Sequence, residues 1–193
     1  MMKKKLVGLL GAGVIVASFS VVSAPTDGNL NFTFQGVIPP AATTPGSWKF
    51  VDLSGSDYTP STLPFSTTRN NDGSFSLSMV NPEVFAIETA AAGSNFKANS
   101  KIKASVASTI INGSALNVDS SGNLDATPVI RINGIELTQQ PQDIASVVAD
   151  RTSLSMTASI ELPKDSVKNV GGNVSMTSAV IFSADVDSSP STN

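Results

Sequence analysis

The feature that most constrains this chain is the strict alternation of apolar and polar residues in many short segments. Residues 29–35 (NLNFTFQ) and 74–79 (SFSLSM) repeat with a period of two. Successive side chains of a β-strand point to opposite faces of its sheet, so this period predicts strands with one buried face. The runs at 48–53, 101–111 and 152–162 follow similar patterns. The chain is therefore predicted to consist mainly of β-strands.

Turn signals separate these segments at a spacing of roughly 8–12 residues, which is typical of β-sandwiches. Residues 70–73 (NNDG) form a strong turn signal, and Asn133-Gly134 predicts a two-residue type I′ hairpin. Two segments, 82–92 and 141–150, have weaker patterns that also allow a helix. With a final strand at 173–186, the chain has eight or so strands, and the predicted fold class is an all-β sandwich.

The first residues predict an export signal. Lys3, Lys4 and Lys5 precede an uncharged apolar run of 17 residues, 6–22, and small residues follow it. This order is that of a secretory signal peptide with cleavage after Ser23. The alternative is a membrane anchor, but a spanning helix needs about 20 apolar residues. We expect the mature chain to start at Ala24 and to be exported.

Composition excludes several classes of catalyst. The chain has no cysteine and no histidine, so it has no thiol nucleophile, disulfide, zinc finger or Ser–His–Asp triad. It contains no calcium-loop motif and no phosphate-binding glycine loop. The spacing of Glu83, Glu88, Asp143 and Asp150 does not require an acid–base pair, and they are interpreted as surface carboxylates. We expect no catalytic residue, no metal site, no cofactor and no enzymatic activity.

Charge limits the partners of the chain. Without residues 1–23, nine Lys and Arg residues remain against fifteen Asp and Glu residues, a formal charge of −6. An acidic, weakly charged protein is a poor candidate for binding nucleic acid. Lys97, Lys101 and Lys103 form the single basic cluster of the mature sequence. It is either a solvated strand face or a candidate receptor patch for an anionic ligand.

The two ends of the mature chain are unusual because each carries an alternating strand. The first lies at 29–35 and continues to Ile38. The last predicted strand places seven residues on one face: Val174, Met176, Ser178, Val180, Phe182, Ala184 and Val186. Either these end strands pair normally within one sandwich, or one of them is donated to a neighbouring subunit.

Four segments resemble a known family, the major pilins of chaperone–usher colonisation fimbriae, and in particular the cysteine-free coli-surface-antigen type. They are GNLNFTFQGVIP at 28–39, SWKFV at 47–51, PVIRINGIEL at 128–137 and VIFSADV at 180–186. The likeness consists of strand and turn patterns, and it spans most of the mature chain in the same order.

This resemblance implies an incomplete immunoglobulin-like β-sandwich that is completed by donor-strand exchange. Such pilins lack their final strand. A periplasmic chaperone fills the open groove, and at the outer-membrane usher the next subunit's amino-terminal strand replaces the chaperone. The donor-strand positions that match in this chain are Leu30, Phe32, Phe34, Gly36 and Ile38. The positions that match the strand bordering the groove and meeting the chaperone are Val174, Met176, Val180, Phe182, Ala184 and Val186.

The implied organisation is a signal peptide at 1–23, a donor strand at 24–39, a pilin β-sandwich domain at 40–187 and a polar tail at 188–193. The implied function is that of a structural subunit of an adhesive surface fimbria, which is exported through the periplasm and mediates attachment to host cells. The implied partners are neighbouring subunits, the chaperone, the usher and a host glycan or glycoprotein.

Two alternatives remain open at this point. One is a minor or tip adhesin of the same fibre, although a tip subunit needs no donor strand. The other is a secreted β-sandwich enzyme or carbohydrate-binding module. The single tryptophan, Trp48, and the single tyrosine, Tyr58, offer such a module few aromatic platforms for a sugar.

Overall fold

The structure of this chain is a computed structural model, which describes residues 47–91, 94–147 and 149–187. These residues belong to one compact unit of the chain. The predicted signal peptide, the predicted donor strand and the polar tail lie outside the described residues. None of the described helical segments is long and apolar enough to cross a membrane.

The described residues are nearly all β-structure, with a single 3₁₀ turn at Lys164–Ser166. The strands are β1 (Trp48–Val51), β2 (Phe65–Arg69), β3 (Phe75–Met79), β4 (Glu83–Thr89), β5 (Asn95–Phe96), β6 (Lys101–Asn112), β7 (Thr127–Ile132), β8 (Ile135–Glu136), β9 (Gln142–Ser146), β10 (Arg151–Leu162), β11 (Ser175–Ser183) and β12 (Val186–Asp187).

The larger sheet is organised around β10, which is twelve residues long. On one side, β10 pairs with β4 through its first half and with β3 through its last residues. On the other side it pairs with β7, which also pairs with β8. The strands β1 and β2 pair with β4 and β3 respectively, so together they form one edge of this sheet.

The smaller sheet has the order β11–β6–β9, and all its pairings are antiparallel. The β6–β11 ladder contains a bulge, because Ala179 pairs with Ser108 whereas Val180 pairs with Val106. The extra residue, Ala107, therefore lies in β6. A separate two-stranded ladder joins β12 to β5.

Two clusters of buried side chains hold the sheets face to face. The first joins Ile87 and Leu154 of the larger sheet to Ile102 and Ile144 of the smaller sheet. The second is formed by Leu77, Leu116, Ile160 and Leu162, with Ile111, Val174 and Met176 packed against it. Both clusters combine residues of the two sheets, which confirms the predicted all-β sandwich.

The Asn133-Gly134 hairpin is confirmed. The φ angles of these residues are 50° and 80°, and the flanking Ile132 and Ile135 are paired. Two positive φ angles are characteristic of a type I′ turn. The Asn133 side chain adds two bonds, because its Oδ1 accepts the Ser155 N–H at 3.0 Å and its Nδ2 donates to the Ile144 carbonyl at 3.1 Å.

The helices considered at 82–92 and 141–150 are wrong. The first segment contains β4, whose Phe85 and Ile87 are buried in the core, and the second contains β9. Tertiary pairing decides both cases, since β4 lies between β1 and β10 and β9 completes the ladder of β6. The strand predicted at 173–186 is divided into β11 and β12, which belong to different sheets.

We expect the Asn133→Ala variant to lose about 2–3 kcal/mol of unfolding free energy. Two hydrogen bonds contribute about 1 kcal/mol each, and left-handed backbone costs alanine about 1 kcal/mol. Denaturant unfolding measures this loss. The matched control is Asn99→Ala, because Asn99 has a φ of 62° but its side chain makes no hydrogen bond within the described residues. Equal losses in the two variants would show that the Asn133 side-chain bonds contribute nothing.

Candidate functional site

A groove of about 920 Å³ opens between two sheet edges, β11 of the smaller sheet and β2 of the larger sheet. Residues 60–64, which precede β2, line it together with Phe65, Thr67 and Arg69 of β2. Apolar side chains of β3, β7, β10 and β11 also line it, and they are Phe75, Leu77, Met79, Ile130, Met156, Ala158, Leu162, Met176 and Val180. Val174, directly before β11, lines it as well. The groove therefore exposes part of the inner surface of the sandwich.

The strand β11 forms one wall of the groove and has a hydrogen-bonded neighbour on one side. It pairs with β6 alone, and β2 pairs with β3 alone, among the strands that the structure describes. The edge of β11 that faces the groove therefore presents backbone N–H and C=O groups without a strand partner. Such an edge is a template for the addition of another strand.

The central strand β10 shows where the sandwich is left open. Its inward row is buried near both ends, at Leu154 (1% exposed) and Ile160 (0% exposed). Between them, Met156 and Ala158 are only half-buried, and both line the groove. An additional strand between β11 and β2 would cover these side chains.

The length of β11 sets the length of strand that it can pair with. It contains nine residues, which extend over about 30 Å at roughly 3.4 Å per residue. A partner of about nine extended residues would match its whole edge.

The six predicted groove-edge residues all pack against the core. Val174, Met176 and Val180 line the groove. Phe182 lies beyond the described lining of the groove, and its ring centroid is 5.2 Å from that of Phe50 and 5.9 Å from that of Phe85. Ala184 and Val186 pack against the same core cluster. The six residues thus divide into three that line the groove and three that pack against the core beyond it.

Tyr58 is a groove residue that sequence reasoning considered only as a sugar platform. Its N–H donates to the Phe50 carbonyl at 3.0 Å, and its ring stacks on Phe85 with 5.2 Å between centroids. Its hydroxyl donates to Glu83 Oε1 at 2.9 Å. Burial raises the pKa of Tyr58 above its usual value, and the Glu83 carboxylate raises it further. Tyr58 therefore anchors the segment that lines the groove before β2.

Trp48 and Tyr58 do not form an open platform for a sugar ring. Trp48 is 4% exposed and packs edge-on against Phe50. One face of the Tyr58 ring is covered by Phe85. These contacts favour a role in the core for both residues.

The predicted basic patch lies on and before the start of β6. Lys101 Nζ donates to Ser146 Oγ at 2.6 Å, and Lys103 Nζ lies 3.9 Å from Asp143 Oδ1. Lys97 is exposed in the loop that precedes β6. Two of the three cations therefore have partners on β9, and the role of the patch as a receptor site stays a prediction.

The carboxylates that sequence analysis singled out lie in different places. Glu88 is 3.9 Å from Arg151 Nη1, Asp143 faces Lys103, and Glu83 accepts the Tyr58 hydroxyl. Asp150 is exposed in the turn before β10. In the described part of the chain, no group of three or more acidic side chains is placed to hold a metal ion.

Other aspartates stabilise turns. The Asp52 carboxylate accepts the Ser54 hydroxyl, and the Asp72 carboxylate accepts the Ser74 hydroxyl. These hydrogen bonds lower the pKa of both carboxyl groups. The bonds lie within each turn, which is the usual role of aspartate in such a loop.

Comparison with known proteins gives one informative match. A CS5 fimbrial subunit of Escherichia coli is 35% identical over 86 residues, which are 45% of this chain. The match covers 42% of that relative, so the chain spans less than half of its length. No protein-family model matches the chain. The match supports a fimbrial structural subunit in general.

We expect the Tyr58 phenol to ionise well above pH 10 in the folded protein. Its folded pKa is raised above the unfolded value of about 10. The stability that this tyrosine contributes is therefore complete below about pH 10 and is lost as the pH rises through the folded pKa. Tyr58 is the single tyrosine of the chain, so tyrosinate absorbance during a pH titration reports it alone. Unfolding in denaturant should return the midpoint to about pH 10, and Glu83→Gln should lower the folded midpoint. A folded midpoint near pH 10 would contradict the described environment of this residue.

Proposed function

We propose that this chain is a structural, non-enzymatic subunit of an adhesive surface fimbria. In this proposal, the groove along β11 takes up the amino-terminal strand of a neighbouring copy. The observation that carries the proposal is an apolar groove bordered by a strand edge that has no partner among the described strands. The partial similarity to a fimbrial subunit supports it independently.

The proposed occupant is residues 24–39 of the next subunit. Its alternating section, Leu30 to Ile38, has nine residues, the same number as β11. Burial of its four large apolar side chains is worth about 1.5–3 kcal/mol each, or about 6–12 kcal/mol as an upper bound. Backbone hydrogen bonds to the β11 edge add about 1 kcal/mol each. This sum supports a tight link between subunits that contain no cysteine.

The path of the chain favours a donated strand antiparallel to β11. The domain begins at β1, where Phe50 lies beside Phe182 near the carboxyl-terminal end of β11. A parallel donor would leave the groove at this same end. The domain of the donor subunit would then have to lie at the same end of the groove at which the acceptor's own chain enters β1. An antiparallel donor leaves at the Val174 end, and head-to-tail repetition of that contact extends into a fibre.

The open groove also supports the need for assembly partners. An uncovered apolar groove with an unpaired edge invites aggregation before assembly. We propose that a periplasmic chaperone covers it after export and that an outer-membrane usher directs its exchange for the donor strand. The fibre then mediates host attachment, with Lys97, Lys101 and Lys103 as the candidate patch for a host glycan or glycoprotein. The predicted donor strand favours an internal position over the tip.

We expect Val180→Asp to block acceptance of the donor strand, because a carboxylate in the apolar groove would be buried without a partner. The matched control is Ile181→Asp on the same strand, since Ile181 points outwards and is 60% exposed. The measurement is the ladder of oligomers formed by refolded full-length mature chains, resolved by electrophoresis in detergent without heating. Thermal melts establish that both variants are folded.

Mixing variants tests the head-to-tail contact directly. Phe32→Asp should block donation while leaving the groove intact. A mixture of Phe32→Asp and Val180→Asp chains should then form dimers and nothing longer, because one chain only accepts and the other only donates. Full ladders from either folded variant alone, or a mixture without dimers, would overturn the proposed function.

A rearranged chain should become a stable monomer. Moving residues 28–39 to the carboxyl terminus behind a flexible linker lets each groove take up its own strand at a high effective concentration. Size-exclusion chromatography should show a monomer. Its unfolding should require more denaturant than that of a chain lacking residues 24–39. A chain lacking those residues that is equally stable and monomeric would count against a donor-strand role.

A further inference from the structure

The charged side chains that line the groove all carry the same sign. Among the described residues they are Arg69, Lys164 and Lys168, and none of the described carboxylates lines the groove. The chain as a whole has more acidic than basic residues, so this local excess of cations runs against its composition. The groove therefore combines an apolar wall with cations, which favours a ligand that is both apolar and anionic.

Strand pairing places the three cations at one end of the groove. Arg69, the last residue of β2, pairs with Phe75, which also pairs with Leu162, the last residue of β10. Lys164 follows two residues after the end of β10, and Lys168 lies between β10 and β11. Together they form the cationic end of the groove, where β10 ends and β11 begins.

Each cation is held by a contact that leaves its charge without a counter-ion. The Arg69 guanidinium carbon lies 5.9 Å from the ring centroid of the phenylalanine with which it pairs. Lys168 Nζ donates to the Ser114 carbonyl at 3.0 Å. The Lys164 side chain lies across Gly73, with its Cδ 3.1 Å from the place that a Cβ would take there. None of the three cations forms an ion pair within the described part of the chain.

The proposed donor strand supplies no counter-charge at the cationic end. Its single charged side chain, Asp27, precedes the alternating section, and residues 28–46 contain no charged residue. An antiparallel donor leaves the groove at the Val174 end, and this uncharged segment is the part that passes the cations. The cationic end therefore recognises a group that the donor strand lacks.

We propose that the groove binds long-chain fatty acids before assembly and that such a ligand competes with the donor strand. The carboxylate lies at the cationic end, and the alkyl chain follows the apolar wall of β10 from Leu162 to Met156. These six residue steps span about 20 Å at roughly 3.4 Å per residue. The groove volume of about 920 Å³ lies within the range of roughly 300–1,000 Å³ that is usual for small-molecule sites. The competition rests on the proposed function, whereas the binding does not.

Calorimetric titration of the full-length mature Phe32→Asp chain tests the binding, because this variant keeps the groove and is expected not to donate its strand. Laurate, below its micelle concentration, should bind at one site. Dodecyltrimethylammonium has an alkyl chain of the same length and should bind about tenfold more weakly or less. Each CH₂ added between decanoate and laurate should tighten binding about fourfold, which is the fold-change that corresponds to its burial.

Charge-matched variants locate the carboxylate. Arg69→Gln combined with Lys164→Gln should weaken laurate binding about tenfold in the Phe32→Asp chain. The control combines Lys49→Gln with Arg131→Gln, which removes the same charge from residues outside the lining of the groove. Thermal melts accompany each variant. If the first combination does not fold, Lys164→Gln alone is compared with Lys49→Gln alone.

The competition is measured by refolding the wild-type mature chain with laurate and resolving oligomers by size-exclusion chromatography. Laurate is added before refolding, because an assembled strand dissociates slowly. It should suppress oligomers, and the variant with Arg69→Gln and Lys164→Gln should need about tenfold more laurate for the same suppression.

The inference is overturned if laurate does not bind, if it binds no more tightly than dodecyltrimethylammonium, or if the two charge-matched combinations bind it alike. It is also overturned if laurate binds but leaves oligomer formation unchanged. Fewer oligomers from the Arg69 and Lys164 variant without laurate, together with unchanged laurate binding, would assign the cations to the neighbouring subunit instead. Failure of the proposed function looks different, because the wild-type chain would then form no oligomers even without laurate, and the calorimetric result would still decide the binding.

Discussion

Hydrogen bonding on one side of β11 is the constraint on which the rest of this structure depends. The strand belongs to the sandwich through its ladder with β6, and its inward row helps to build both buried clusters. Its second edge has no partner among the described strands. Met156 and Ala158 are half-buried because they pack against the core cluster on one side and line the groove on the other. The open edge and the exposed apolar surface are thus two aspects of the same gap.

The rest of the sandwich is firmly closed. The larger sheet has β10 paired on both sides, and the rings of Phe50, Phe85 and Phe182 fasten the end of β11 to it. Without cysteines, these contacts and the strand ladders must hold the two sheets together. The groove is consequently a local opening in a well-packed domain, which allows an added strand to bind to a preformed surface.

Much of the fold could be predicted from local sequence patterns. Period-two alternation identified β3, β6 and β10, because each has one buried face. The Asn133-Gly134 hairpin was recognisable because asparagine and glycine are the residue types that best tolerate positive φ. The strand β2 escaped prediction because Phe65 is its single apolar residue. The strand β9 escaped because its pairing with β6 outweighs an ambiguous local pattern. The inward row of β11 was predictable by the same alternation. That Phe182 lies outside the lining of the groove was not, because its position depends on contacts with Phe50 and Phe85, which are distant in sequence.

The position of the bulge in the smaller sheet has a mechanical consequence for the proposed fibre. Since the extra residue lies in β6, the open edge of β11 keeps an uninterrupted repeat along its length. A pull on neighbouring subunits would then act along the donated strand and load its whole row of hydrogen bonds in shear, all at the same time. A non-covalent joint of this geometry resists tension far better than one whose bonds open one after another.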